Sequence, residues 1–261
     1  MSIHKLVGPR AAAVCCYFIA FLALITGAAT ARAQATSKEL YFARANTFSI
    51  FGAYSGDSSH ILMGNAENRK LLSFGVAYSR RLLVSRIVDW QYNGELVPVA
   101  LESDPYSYVV YNQTLPTPAT FSYTSPPTVL CATVIYPYSF TLGNGVTYSG
   151  TATQSCKGRE WTIGEGISPA GFQWNFLPLH RTQPFLIGHG GYMYSTQPIP
   201  VADAGSFNFT FDFGAGFELF RSRHQSVRAE YRYHHISNHG TATENPGIDS
   251  LVYYVTYSFG R

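Results

Sequence analysis

Two-residue alternation of apolar and polar side chains is the feature that most limits what this chain can fold into. Odd positions from Phe207 to Leu219 are apolar throughout, whereas the even positions between them are polar or glycine. Residues 225–237 and 249–259 alternate in the same way. Because successive side chains of a β-strand point to opposite faces, this pattern predicts strands with one apolar and one polar face.

No segment after residue 35 shows helical periodicity, so the sequence predicts an all-β domain over residues 36–261. The alternation delimits eight strands, at 47–55, 70–79, 88–100, 161–176, 182–194, 206–220, 225–237 and 249–259. Residues 101–159, rich in Pro, Tyr and Thr and nearly free of charge, lie between the third and fourth strands. We interpret them as a long structured extracellular loop and not as a second domain.

A soluble β-sandwich and a membrane barrel both produce such alternation. Strands of about 10 to 15 residues exceed the usual 5 to 6 of soluble sheets and suffice to cross a bilayer. If the even positions of 225–237 faced lipid, Arg228 and Arg232 would each cost up to about 2 to 4 kcal/mol. The sequence therefore predicts an eight-stranded antiparallel up-and-down transmembrane β-barrel with the odd residues of these strands facing out.

The first 35 residues are typical of a secretory signal peptide. Lys5 and Arg10 precede an uncharged stretch from 11 to 30, and small residues at 31, 33 and 35 offer cleavage sites. A retained membrane anchor is the alternative, because the uncharged stretch could just cross a bilayer. Beyond residue 35 the 15 remaining basic residues equal the 15 acidic ones, so no basic surface for nucleic acid is expected.

Cys131 and Cys156 are the two cysteines outside the leader, and in an exported protein such a pair is expected to form a disulfide. Gly143-Asn144-Gly145, midway between them, is a strong hairpin turn signal. A hairpin that turns there brings the two cysteines together across its strands.

His235 and Ser237 share the outward parity of their strand, and Asp249 shares the outward parity of the next one. Neighbouring antiparallel strands joined by residues 238–248 place the carboxylate beside the histidine and serine. In an eight-stranded barrel with both termini in the periplasm, this connection is extracellular. We therefore expect the three side chains near the outer leaflet.

The run His235-Ile236-Ser237-Asn238-His239-Gly240, followed by Asn245-Pro246-Gly247-Ile248-Asp249-Ser250, resembles the C-terminal signature of the PagL-type lipid A 3-O-deacylases. The resemblance extends from about residue 184 to residue 259 and is absent over 101–159. Members of that family are eight-stranded outer-membrane serine esterases, which agrees with the fold predicted above.

The resemblance implies a catalytic triad of Ser237 as nucleophile, His235 as base and Asp249 as the carboxylate that orients the base. The family pattern has glutamate at the third position, so Asp249 is a departure, and Glu244 is a nearby substitute. We expect the Asn238 side chain and the Gly240 backbone N–H to form the oxyanion hole.

The implied substrate is the 3-O-linked acyl chain of lipid A in lipopolysaccharide of the outer leaflet, with a 3-hydroxy fatty acid as product. We expect no cofactor and no metal, because His234 faces the lumen by parity and His239 lies in a loop. The alternatives are a non-catalytic outer-membrane barrel with a structural or adhesive role and a soluble periplasmic sandwich. Whether the chain acts as a monomer or a homodimer stays open.

Overall fold

The computed structural model describes residues 42–130 and 132–261, so the predicted signal peptide lies outside the described residues. Within those ranges no helix has the length and hydrophobicity needed to cross a membrane. The chain forms ten strands: β1 Asn46–Ser55, β2 Lys70–Val84, β3 Val88–Leu115, β4 Ala119–Pro127, β5 Val134–Thr141, β6 Thr147–Phe176, β7 Thr182–Ser195, β8 Phe207–Phe220, β9 Gln225–Ser237 and β10 Ile248–Gly260.

Eight of these strands close a ring. The order β3-β2-β1-β10-β9-β8-β7-β6 is continuous and antiparallel, and β3 pairs with β6 to join its two ends. A closed ring leaves none of its eight strands with an unpaired edge, the condition for a sheet that faces lipid. We call the end that carries the turns β2–β3, β6–β7 and β8–β9 the inner rim and the opposite end the outer end.

The prediction of eight strands with a loop over 101–159 was wrong. Strands β3 and β6 continue past the ring, and β4 and β5 pair with their outer halves to give a sheet of order β4-β3-β6-β5. β4 and β5 do alternate aromatic with other side chains, but the prolines and low charge of residues 101–159 favoured a loop over strands in the sequence analysis. Two strands that already pair in the ring can extend their ladder without a new connection.

The predicted hairpin at Gly143-Asn144-Gly145 is confirmed. Thr141 pairs with Thr147 at the ends of β5 and β6, and the Leu142 N–H donates to the Val146 carbonyl. Gly145 has a φ of 81°, in the left-handed region that the turn requires. Cys131 lies outside the described residues, so its disulfide with Cys156 stays a prediction.

The predicted orientation of the strands is confirmed: the wall of the ring is apolar outside and charged inside. Phe213, Phe217 and Val255 are 51%, 61% and 62% exposed, whereas Arg228 and Arg232 are buried in the lumen. The Arg232 guanidinium bonds the carboxylates of Glu95 on β3, Asp212 on β8 and Glu230 on its own strand β9, so its buried charge is paired within the barrel.

The Arg69 side chain connects several segments at the outer end through hydrogen bonds. Its side chain is fully buried, and its Nε donates to Asp104 Oδ1 at 2.7 Å. Its other nitrogens donate to the carbonyls of Glu67, Thr128, Val129 and Pro200. One guanidinium therefore joins the β1–β2 loop (residues 56–69) to the β3 extension, to the β4–β5 connection and to the β7–β8 loop.

Glu102 gives the outer end a pH-dependent stability. It is buried beside Asp104, and burial together with the Asp104 charge raises its pKa well above the ordinary value. The folded protein then keeps a proton that the unfolded chain has already lost. Its stabilising contribution is therefore full at low pH and is lost as the pH rises through the folded pKa.

We expect Glu102→Gln to reduce the fall in the thermal unfolding midpoint between pH 5 and pH 8, with each kcal/mol worth about 2 to 4 °C. Thermal scans of the detergent-solubilised protein measure this. Asp203→Asn, which changes an exposed carboxylate of the β7–β8 loop, is the control and should leave the fall intact. An unchanged pH dependence in the Glu102 variant would refute this account of the outer end.

Candidate active site

The end of β9 and the start of β10 bring the predicted histidine and carboxylate together. His235 and Asp249 are direct register partners, and His235 Nδ1 lies 2.6 Å from Asp249 Oδ1. A carboxylate only accepts hydrogen bonds, so Nδ1 carries the proton and Nε2 presents its lone pair. This is the tautomer that a general base for a serine requires.

The Asp249 carboxylate is held at both oxygens. Oδ1 also accepts a hydrogen bond from the Tyr233 hydroxyl at 2.7 Å. Oδ2 accepts from the backbone N–H groups of Leu62 and Met63, at 2.7 and 2.8 Å. Four donors therefore fix a side chain that is one carbon shorter than the glutamate of the family pattern, and two of them come from the β1–β2 loop.

The β1–β2 loop also covers the site. It forms bridges to β10 at Ser58 with Ser250 and at Ala66 with Ile248. The three side chains do lie on the outward face of their strands, as expected. They are not exposed to lipid to the extent expected. The His235 and Asp249 side chains are only 10% and 0% exposed, because the loop folds over the outside of β10. Sequence alternation carries no information about a loop that packs back onto the barrel wall.

Ser237 lies beside this pair without a bond to it. It is two residues beyond His235 on the same outward row of β9 and is partly exposed. Its Oγ accepts a hydrogen bond from the His239 N–H at 3.2 Å, and among the described residues it makes no hydrogen bond with the imidazole. The structure thus joins base to carboxylate and leaves the serine adjacent, as is common in enzymes without substrate.

The two predicted oxyanion donors are occupied. The Asn238 side-chain amide donates to the carbonyls of Ala204 and Glu244, and its oxygen accepts the Gly240 N–H at 2.8 Å. Both groups thus hold the turn that follows Ser237, in which His239 and Gly240 have φ values of 55° and 76°. In this conformation neither donor is free for a substrate. The His239 N–H, which sequence analysis missed, is the donor that points at Ser237 Oγ.

A second group of titratable side chains fills the lumen. Glu95, His189 and Asp212 bring ligand-type atoms within 4.8 Å of one another. The Arg232 guanidinium already bonds Glu95 at 2.9 Å and Asp212 at 3.2 Å, so a metal ion there would meet a fixed positive charge. We interpret the group as an ion-pair network. The Asp212 and Asn93 partners of His189 were not visible in the sequence, because they come from β8 and β3.

The fold and the site together define an antiparallel barrel that carries, on its outer wall, a hydrogen-bonded histidine and carboxylate with a serine beside them. That is the side-chain set of serine ester hydrolases. The sequence profile of the family described as PagL, lipid A 3-O-deacylase, matches residues 128–258. The chain belongs to this family, and lipid A deacylation is its function at the family level.

Solved structures match this chain only at low sequence identity. The crystal structure of the outer membrane enzyme PagL is 13% identical, covers 82% of this chain and 99% of its own, and gives a TM-score of 0.46. Neisserial surface protein A is 9% identical, with coverages of 83% and 97% and a TM-score of 0.41. No individual curated protein matches the sequence. Values this low add nothing to the family assignment, which rests on the profile.

Proposed function

We propose that this protein is an outer-membrane serine esterase that removes the 3-O-linked acyl chain from lipid A of lipopolysaccharide. The observation that carries the proposal is the 2.6 Å bond between His235 and Asp249, with Ser237 on the same outward row, in a chain of this family. The apolar outer wall supports a place in the membrane, and the long outer extension supports the orientation.

In the proposed mechanism His235 Nε2 takes the proton of Ser237 as Oγ attacks the ester carbonyl. Oγ rotates from the His239 N–H toward the imidazole when substrate binds. The ester C–O bond then breaks, His235 gives its proton to the departing sugar hydroxyl, and the acyl chain stays on Ser237. Water, deprotonated by His235, attacks the acyl-enzyme carbonyl and releases the chain as a 3-hydroxy fatty acid, and His235 returns the proton to Ser237 Oγ. Asp249 holds the Nδ1–H tautomer and stabilises the imidazolium at each step.

A groove on the outer wall supports an acyl substrate. The residues that line this open groove of about 580 Å³ include the small Ala215 and Ala229 and the larger Phe217 and Tyr231. Ala215 is six residues along β8 from Phe209, the partner of Ser237, about 20 Å at the usual strand rise. Only a long acyl chain attached at Ser237 would therefore reach down the wall into this groove.

Filling the groove should impair long acyl chains selectively. We expect Ala215→Phe to lower the rate on a substrate with a long 3-O-acyl chain by about tenfold, the effect of one or two lost methylene contacts, and to spare a short chain. Initial rates on two synthetic lipid A precursors that differ only in this chain measure the ratio. Ser222→Ala, on an inner turn, is the control. Equal loss on both substrates would mean that the groove does not hold the chain.

The proposed function is tested by incubating the purified protein with lipopolysaccharide and following lipid A by mass spectrometry. We expect the loss of one hydroxyacyl group and the appearance of the free 3-hydroxy fatty acid. Intact lipid A after prolonged incubation with protein that is folded, as judged by heat-modifiable migration, would contradict the proposal. It would favour the non-catalytic barrel, with the outer extension as its exposed surface.

A further inference from the structure

The inner rim is strongly cationic. Its exposed arginines are Arg80, Arg86, Arg181, Arg221, Arg223 and Arg261. Asp89 and Glu218, the acids at this end among the described residues, are buried at 0% and 2% exposure, and Glu218 is paired with Arg44.

Two of these arginines lie in one row across the outer wall. Asn46 pairs with Arg80 of β2, and on its other side it exchanges backbone hydrogen bonds with Arg261, at 2.9 and 3.0 Å. At about 4.8 Å between neighbouring strands, the Cα atoms of the two arginines are about 10 Å apart. Their parity is that of Phe48 and Phe259, so both belong to the outward face.

An aromatic row lies directly above the arginine row. The rings of Phe48 and Tyr78 are 5.2 Å apart, and those of Phe48 and Phe259 are 6.2 Å apart. A groove of about 580 Å³ crosses this boundary, with Phe48 and Phe259 on its apolar side and His224 and Arg261 on its polar side. Aromatic side chains mark the level where hydrocarbon gives way to lipid headgroups in membrane barrels.

We infer that this groove binds an anionic glycerophospholipid of the inner leaflet. Its acyl chain would lie in the groove over Phe48 and Phe259, and its phosphate would lie at the polar edge beside Arg261. Arg80 does not line the groove, but it faces this edge from β2, on the other side of Asn46. The pairing of a cationic row with an apolar groove fits a phosphate that carries a lipid tail better than free phosphate. The inference rests on the membrane placement in the proposed function and not on the hydrolysis.

Native mass spectrometry of the full chain in detergent, titrated with phosphatidylglycerol or with phosphatidylcholine of the same acyl chains, tests the site. We expect phosphatidylglycerol to bind more tightly, and we expect Arg80→Gln with Arg261→Gln to weaken it by about fivefold for each arginine. Lys157→Gln, which removes an exposed cation of the outer extension, is the matched control and should bind like the wild type. An excess of inorganic phosphate should leave the bound lipid in place.

Equal affinity for the two lipids, or an unchanged affinity in the double glutamine variant, would overturn the inference. Displacement by inorganic phosphate would reassign the site to a free anion and would overturn it as well. Arg80→Lys with Arg261→Lys should restore most of the preference, which separates a charge effect from a folding defect. All of these variants should deacylate lipid A at the wild-type rate, so a failed lipid site and a failed hydrolase are distinguishable.

Discussion

Ser237→Ala should abolish deacylation of lipid A, with a loss of turnover of about a millionfold. Without Oγ there is no acyl-enzyme, and the imidazole has no nucleophile to activate. Activity that remains after loss of a triad nucleophile comes from binding and oxyanion stabilisation alone. The measurement is the rate of 3-hydroxy fatty acid release from lipopolysaccharide by the variant in detergent micelles.

Ser139→Ala is the matched control, because Ser139 is an exposed serine of β5 on the outer extension. It should release fatty acid at the wild-type rate. If Ser237→Ala kept more than a few per cent of the wild-type activity, Ser237 would not be the nucleophile, whatever the state of His235 and Asp249.

Asp249→Asn should lower turnover by about ten-thousandfold, since an amide at this position disfavours the Nδ1–H tautomer. The structure adds a second reason for a large effect. The Asp249 carboxylate accepts from the N–H groups of Leu62 and Met63, and an amide NH₂ in place of either oxygen would face a donor. Rates of acyl release measure the loss, and circular dichroism verifies that the variant keeps its strands.

Asp249→Glu tests whether the site needs only the negative charge at position 249 or also the length of the aspartate side chain. The variant keeps the charge but extends it by about 1.5 Å, toward a loop whose Leu62 and Met63 side chains are 60% and 50% exposed. Because the negative charge and the Nδ1–H tautomer are kept, we expect a loss of no more than about tenfold, the value of one weakened hydrogen bond. Loss as severe as that of Asp249→Asn would mean that this site depends on the shorter side chain and would rule out simple orientation by charge.

Tyr233→Phe tests the fourth donor to the same carboxylate. It removes the 2.7 Å bond to Asp249 Oδ1 and keeps the ring that packs on Phe213. A hydrogen bond to a charged group is worth about 1.5 to 3 kcal/mol, so a loss of about ten- to a hundredfold in turnover is expected. A rate equal to that of the wild type would show that the loop donors alone position Asp249.

Alternation was enough to predict the strands that carry the site. The predicted bounds of 225–237 match β9, and those of 249–259 differ from β10 by one residue at each end. Parity also predicted that Asp249 would lie beside His235, because antiparallel pairing fixes which residues are neighbours once two strands and their connection are known. These are local consequences of a two-residue repeat.

The other features of the site could not be predicted, because they depend on contacts between distant parts of the chain. Leu62 and Met63 reach Asp249 through backbone N–H groups, which every residue possesses, so no residue type could mark them. Asn238 was predicted to bind an oxyanion because of its position after Ser237, whereas its amide is used by carbonyls of two other loop residues. A side chain's free donors can be counted only after all of its neighbours are known.

The bonds between the β1–β2 loop and Asp249 also set the order in which the protein matures. They join the first strand-to-strand connection of the barrel to its last strand, so they can form only after β1 has paired with β10 and the ring has closed. Until then the Asp249 carboxylate lacks the two loop donors and is bonded only by His235 and Tyr233 of the neighbouring strand β9. We therefore expect hydrolytic competence to be the final event of biogenesis, which would keep an unfinished esterase from attacking lipids before it reaches its destination.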